Sequence, residues 1–126
     1  MSAAEIRRRY EVIRARDPSR PVVLNLGQGV AHKGWVGRGT TCARLDRETY
    51  YREASLGGDI VSFDIYPAPE FGQPAIYGRL ELVAEGVQNL RRWTSPDRTV
   101  WNVIGTTHIY DPGRRPTAAE VRAQVW

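Results

Sequence analysis

The chain has 126 residues, enough for one domain with a core, and its 41% hydrophobic and 25% charged content excludes a disordered chain. Its net charge of +4 rests on arginine, since Lys33 is the one lysine among 18 basic residues. The arginines are scattered and no aromatic-basic RNA motif accompanies them, so no nucleic-acid partner is expected. A single cysteine, Cys42, excludes an internal disulfide. No apolar run approaches a membrane span, and no apolar segment follows the N-terminal charges as a signal peptide requires. A soluble, cytoplasmic protein without a membrane partner is expected, or a secreted one if the natural full-length chain carries a signal peptide.

In chain order, residues 2–16 predict a helix. Ser2 is its N-cap, Glu5 stands at the capping-box spacing, and Ile6, Tyr10 and Ile13 form its apolar side. Prolines at 18 and 21 end it. Residues 22–26 (VVLNL) predict a strand with Val22, Leu24 and Leu26 towards helices and Val23, Asn25 and Gly27 on the other side. A long glycine-containing loop over residues 30–45 carries His32, Trp35 and Cys42. Asp46 caps a short helix over 47–56, which Gly57 and Gly58 close.

The stretch 59–67 (DIVSFDIYP) is the central strand. Period two puts Ser62, Asp64 and Tyr66 on one face and Val61, Phe63 and Ile65 on the other. Pro67 stops it, because proline has no ladder donor. A loop around Glu70 and Phe71 follows. Residues 76–93 then predict the strongest helix, with a stripe of Leu80, Val83, Ala84, Val87, Leu90 and Trp93. Residues 99–104 (TVWNVI) predict a third strand, with Asn102 towards the helices. A loop with Thr106, Thr107, His108 and Asp111 leads to a last helix over 118–126. Thr117 is its cap, and Val121, Val125 and Trp126 form its apolar stripe.

Alternation of helix and strand predicts an α/β fold with about three parallel strands joined by right-handed crossovers. Three such strands leave both edges unpaired, and the face carrying Asn25, Asp64 and Trp101 uncovered. The chain is therefore expected either to self-associate, most simply as a homodimer, or to be part of something larger.

Three pieces in this order, DPSRP at 17–21, DIVSFDIYP at 59–67 and VWNVIGTT at 100–107, resemble one kind of protein. They look like the C-terminal half of a (β/α)8-barrel glycoside hydrolase of the retaining clan whose two glutamates end strands four and seven. The resemblance implies a partial, half TIM barrel. Residues 2–16 match helix four, the three strands match barrel strands five to seven, and the final helix matches helix seven. It also implies a carbohydrate-type cleft at the C-terminal ends of the strands. The position of the family's nucleophilic glutamate is Gly105 here, and the acid/base glutamate would precede Met1. Retaining hydrolysis uses two carboxyl groups about 5–5.5 Å apart, and neither family position is filled by one.

The loops after the three strands leave from one end of the sheet. They gather Asn25, Gln28, Trp35, Tyr66, Glu70, Trp101 and Thr106 as candidate substrate-binding residues. Asp64, His108, His32 and Cys42 are the candidate catalytic ones. Asn, Asp, Tyr and Trp suit sugar hydroxyls and ring faces. A histidine with Asp64 and a Cys42 or Thr106 nucleophile is also the skeleton of acyl transfer, so a small-ester hydrolase is an alternative. A non-catalytic carbohydrate-binding or truncated barrel fragment is another. No cofactor is expected, and two histidines without paired-ligand spacing predict no metal site.

Overall fold

The computed structural model describes residues 1–35, 46–68, 73–108 and 114–125. Four helices alternate with three strands: α1 (Ala3–Arg16), β1 (Val23–Asn25), α2 (Arg47–Ala54), β2 (Ile60–Asp64), α3 (Glu81–Trp93), β3 (Thr99–Val103) and α4 (Ala118–Val125). The fold is α/β, with an open sheet in the order β1-β2-β3 and both pairings parallel. Val23 stands opposite Ile60 and Asn25 opposite Ser62, while Asp64 stands opposite Val103. No helix among the described residues is long and apolar enough to cross a membrane.

The two sheet faces differ as period two requires. Val61, Phe63 and Ile65 of the central segment are fully buried, and Leu24, Leu26, Val100 and Ile104 pack against the same core. The opposite face carries Asn25, Asp64, Trp101 and Val103. Ser62 in its middle is buried, but Asn25 is exposed and Trp101 is 51% exposed. A sheet whose strand order follows chain order places its connecting helices on one face when every crossover has the same hand. Among the described residues, no connecting helix then covers the second face.

Local signals set the helix ends. Ser2 Oγ accepts from the Glu5 N–H at 3.2 Å, and the Asp46 carboxylate accepts from the Thr49 N–H at 3.3 Å. At α4 the capping box is reciprocal. The Glu120 N–H donates to Thr117 Oγ1 at 3.3 Å, and the Thr117 N–H donates to Glu120 Oε2 at 2.8 Å. A two-pronged pair with Arg114 reinforces it, and together these hold the Glu120 carboxyl down at about 2.

Three helices depart from the predicted pattern. The third begins at Glu81 instead of residue 76, because Gly78 sits at φ +76° and turns the chain out of helix. Its buried stripe is Leu82, Val83, Gly86, Leu90 and Trp93, whereas Ala84 is exposed. The stripe is rotated because α3 meets the sheet at a glycine. A Cβ on Gly86 would lie 2.3 Å from Phe63 Cε2, so the helix backbone rests directly on the Phe63 ring. A mid-helix glycine costs about 1 kcal/mol against alanine, and the close approach is its compensation. In α1, Ile6 is buried but Ile13 is 48% exposed, since the packed side of the helix is the one turned to α2. In α4 the buried residue is Gln124, while Val125 is exposed.

One carboxylate ties the lower end of the sheet together. Asp59 precedes β2 and accepts from the Tyr10 hydroxyl of α1 at 2.7 Å and from the Val22 N–H beside β1 at 2.8 Å. The Arg14 guanidinium lies 3.9 Å away. The Val22 N–H first, then the Tyr10 hydroxyl, hold the Asp59 carboxyl below its ordinary value. Its folded pKa is therefore lower than its unfolded one. The stabilisation is present above the unfolded value and is lost as pH falls through the folded one. Asp59→Asn should lower stability by about 1–3 kcal/mol at neutral pH. It should also flatten the acid limb of stability, measured by urea denaturation stepped from about pH 6 to about pH 3.

Candidate functional site

The C-terminal ends of β1 and β2 open into a cleft of about 710 Å³ lined by Asn25, Gln28, Trp35, Asp64 and Tyr66. Parallel pairing in register makes this possible. It sets Asn25 opposite Ser62, so the next residue of β2 on the same face, Asp64, comes within reach of the Asn25 side chain. Asn25 Nδ2 donates to Asp64 Oδ1 at 2.7 Å, and Asn25 Oδ1 accepts from the Gly27 N–H at 3.3 Å. Both ends of the amide are used, which fixes its orientation. Asp64 Oδ2 has no hydrogen bond from a described residue.

Gly27, at φ +69°, starts a single turn of 3₁₀ helix over Gln28–Val30. Gln28 is buried in the cleft wall, yet its Oε1 accepts no hydrogen bond. The turn is held from below. Arg47 of α2 donates from Nε to Gly29 O at 2.9 Å and from its terminal nitrogen to Val30 O at 2.5 Å. Asn89 of α3 donates to Val30 O at 3.0 Å. The Arg47 guanidinium lies 5.1 Å from the Trp93 ring centre, and Tyr51 stacks on the same ring at 5.4 Å. Two helices thus fix the backbone that presents Gln28. Arg47 is a positioning residue that sequence reasoning treated as a helix opener.

The cleft also extends around the outer edge of β1, where Leu24, Leu26, Ile6, Tyr50 and Met1 line it. The Tyr50 hydroxyl donates to Met1 O at 3.1 Å there. Of these, Ile6, Leu24 and Leu26 were assigned to packing in the sequence. Their signal was the prediction that β1 is an unpaired edge, since side chains from both of its faces then border one opening.

Tyr66 also connects the cleft with the end of β3. A Cβ on Gly105 would lie 2.9 Å from Tyr66 Cδ1 and 3.8 Å from Gln124 Oε1. The Tyr66 ring therefore packs on Gly105. A longer side chain enters there only if Tyr66 moves.

The other candidates do not join this cleft. His32 is half-buried beyond the 3₁₀ turn. Burial first, then the charges of Arg79 and Arg47, push its pKa down and favour the neutral imidazole. His108 and Thr106 are exposed beyond β3, and Trp101 stands mid-strand on the bare face. No hydrogen bond or ion pair among the described residues joins either histidine side chain to a carboxylate. Cys42 and Glu70 lie outside the described residues, as does Asp111. Among the described residues no group of three His, Cys, Asp or Glu side chains could hold a metal ion.

In comparisons with known proteins, no family model, curated protein or solved structure matches the chain. The likeness to glycoside hydrolases therefore rests on the order of its three sequence pieces. The chemistry of the cleft has to be argued from its own atoms. One part of that argument is directly measurable. Arg47→Ala should release the turn that carries Gln28. The expected result is faster amide hydrogen exchange at Ala31 and His32, whose N–H groups donate to Gln28 O at 3.0 and 2.9 Å, with a stability loss of about 1.5–3 kcal/mol.

Proposed function

We propose that the chain is a partial (β/α) barrel of glycoside-hydrolase type whose rim cleft binds a carbohydrate-type ligand. The observation that carries this reading is the convergence of Asn25, Gln28, Trp35, Asp64 and Tyr66 on one opening at the C-terminal ends of parallel strands. Parallel α/β folds place their ligands at that end. The chemistry suits a polyhydroxyl ring: a carboxylate oxygen and an amide oxygen to accept hydroxyl protons, with aromatic side chains beside an apolar wall.

Binding is better supported than turnover. Glycoside hydrolysis takes two carboxyl groups flanking the scissile bond, and Asp64 is the one carboxylate among the described lining residues. The reading is tested by titrating the protein with mono- and disaccharides and following tryptophan fluorescence and heat. Saturable binding should appear and should weaken at least tenfold in Asp64→Ala, with the fold checked by circular dichroism. Chromogenic glycosides and short-chain esters are assayed on the same fractions. Absence of binding by every sugar would refute the reading.

We further propose that a second copy completes the sheet. Support comes from the two unpaired edges, β1 and β3, and from the bare face with its exposed Trp101 and Val103. Light scattering should give twice the 14.2 kDa of one chain. Trp101→Glu should shift the population to monomer, and a monomeric wild-type protein would overturn the proposal.

A further inference from the structure

Two acceptor oxygens of the described cleft residues have no donor. The Asn25 amide is spent on Asp64 and the Gly27 N–H, and the Tyr50 hydroxyl is spent on Met1 O. Asp64 Oδ2 is left as an acceptor, and the Oε1 of the buried Gln28, a residue of the same cleft wall, also lacks a donor. A buried acceptor without a donor is costly, so a ligand that brings donors gains from satisfying it.

Asp64 also differs from most carboxylates of the described residues in having no side-chain ion pair among them. Arginine pairs with seven of the chain's carboxylates among the described residues. No arginine, lysine or histidine nitrogen of a described residue lies within 4.0 Å of the Asp64 carboxylate, and none of these side chains lines the cleft. Among the described lining residues, Asp64 carries the one charged side chain. Trp35, Tyr50 and Tyr66 line the same cleft, and aromatic faces attract cations.

We infer that the cleft selects an amine-bearing sugar, its ammonium group placed against Asp64 with Gln28 as a further acceptor. An ammonium is a donor with no acceptor capacity, so it fits a site that offers acceptors and negative charge. A neutral sugar hydroxyl uses the acceptors but not the charge. This selectivity rests on the carbohydrate reading above and names the ligand class within it.

The test is calorimetric titration of the 126-residue chain with glucosamine, glucose and N-acetylglucosamine at about pH 6.5, where an amine is protonated. Glucosamine should bind at least tenfold tighter than glucose, a difference of about 1.4 kcal/mol. N-acetylglucosamine, whose nitrogen is uncharged, should bind no tighter than glucose. Asp64→Asn keeps an oxygen for Asn25 and removes the charge, and it should bring the glucosamine-to-glucose ratio to about one. Glu85→Gln on the exposed side of α3 changes net charge equally and should leave the ratio as in the wild type. Equal binding of the two sugars overturns the inference while leaving the carbohydrate reading intact. A preference that survives Asp64→Asn overturns it as well. No binding by any of the three sinks both.

Discussion

The Asp59 carboxylate is the constraint on which the geometry of the cleft depends. It is bonded to the Tyr10 hydroxyl of α1 and to the Val22 N–H at the start of β1, while its own backbone leads into β2. A three-residue edge strand such as β1 has few ladder bonds with which to hold its register. A one-residue slip would turn Asn25 to the helix side and bring Leu24 or Leu26 onto the bare face. Asp59 fixes the register at the lower end, and the Leu26 N–H donating to Ser62 O at 2.8 Å fixes it at the upper end. Asn25 and Asp64 can then meet although they lie 39 residues apart in sequence.

The helix layer acts on the same cleft from the other side. Phe63 projects from β2 into the gap left by Gly86, which draws α3 down onto the sheet. That approach carries Asn89 to the carbonyl of Val30, while the Tyr51–Trp93 stack sets α2 so that Arg47 reaches the carbonyls of Gly29 and Val30. The core packing and the presentation of Gln28 are thus parts of one arrangement. A half-buried guanidinium bonded to carbonyls and lying against an indole ring loses part of its hydration, and those contacts replace it.

Much of this was legible in the sequence because it is set by local periodicity and by single capping residues. The parallel order, the partition of each strand into a helix side and a bare side, the Ser2 and Asp46 caps and the Thr117–Glu120 box all follow from residues within a few positions of each other. The convergence of Asn25, Asp64 and Tyr66 followed from parallel topology alone. What was not legible depends on contacts distant in sequence. The stripe of α3 was misplaced because a glycine at 86 reads as neutral until Phe63 is known to sit beneath it. Ile13 counts as apolar in any periodicity, but whether it is covered depends on where α2 lies. Arg47 reads as a surface charge until the carbonyls of the 3₁₀ turn are placed beside it.

The contact between Tyr66 and Gly105 bears on what kind of chemistry the rim can support. If the resemblance to retaining glycosidases is followed, position 105 is where a carboxylate would approach the sugar. Here the absence of a side chain lets the Tyr66 ring close over the strand end, leaving Asp64 as the rim carboxylate of the described strands. Asp64, which lines the opening, is itself held by Asn25 through one oxygen. A carboxylate fixed in this way is suited to recognition, because its geometry is set before a ligand arrives. Among the described lining residues Asp64 is the one carboxylate, and its partner Asn25 comes from the neighbouring strand, so the sheet register itself sets the geometry a polar ligand would meet.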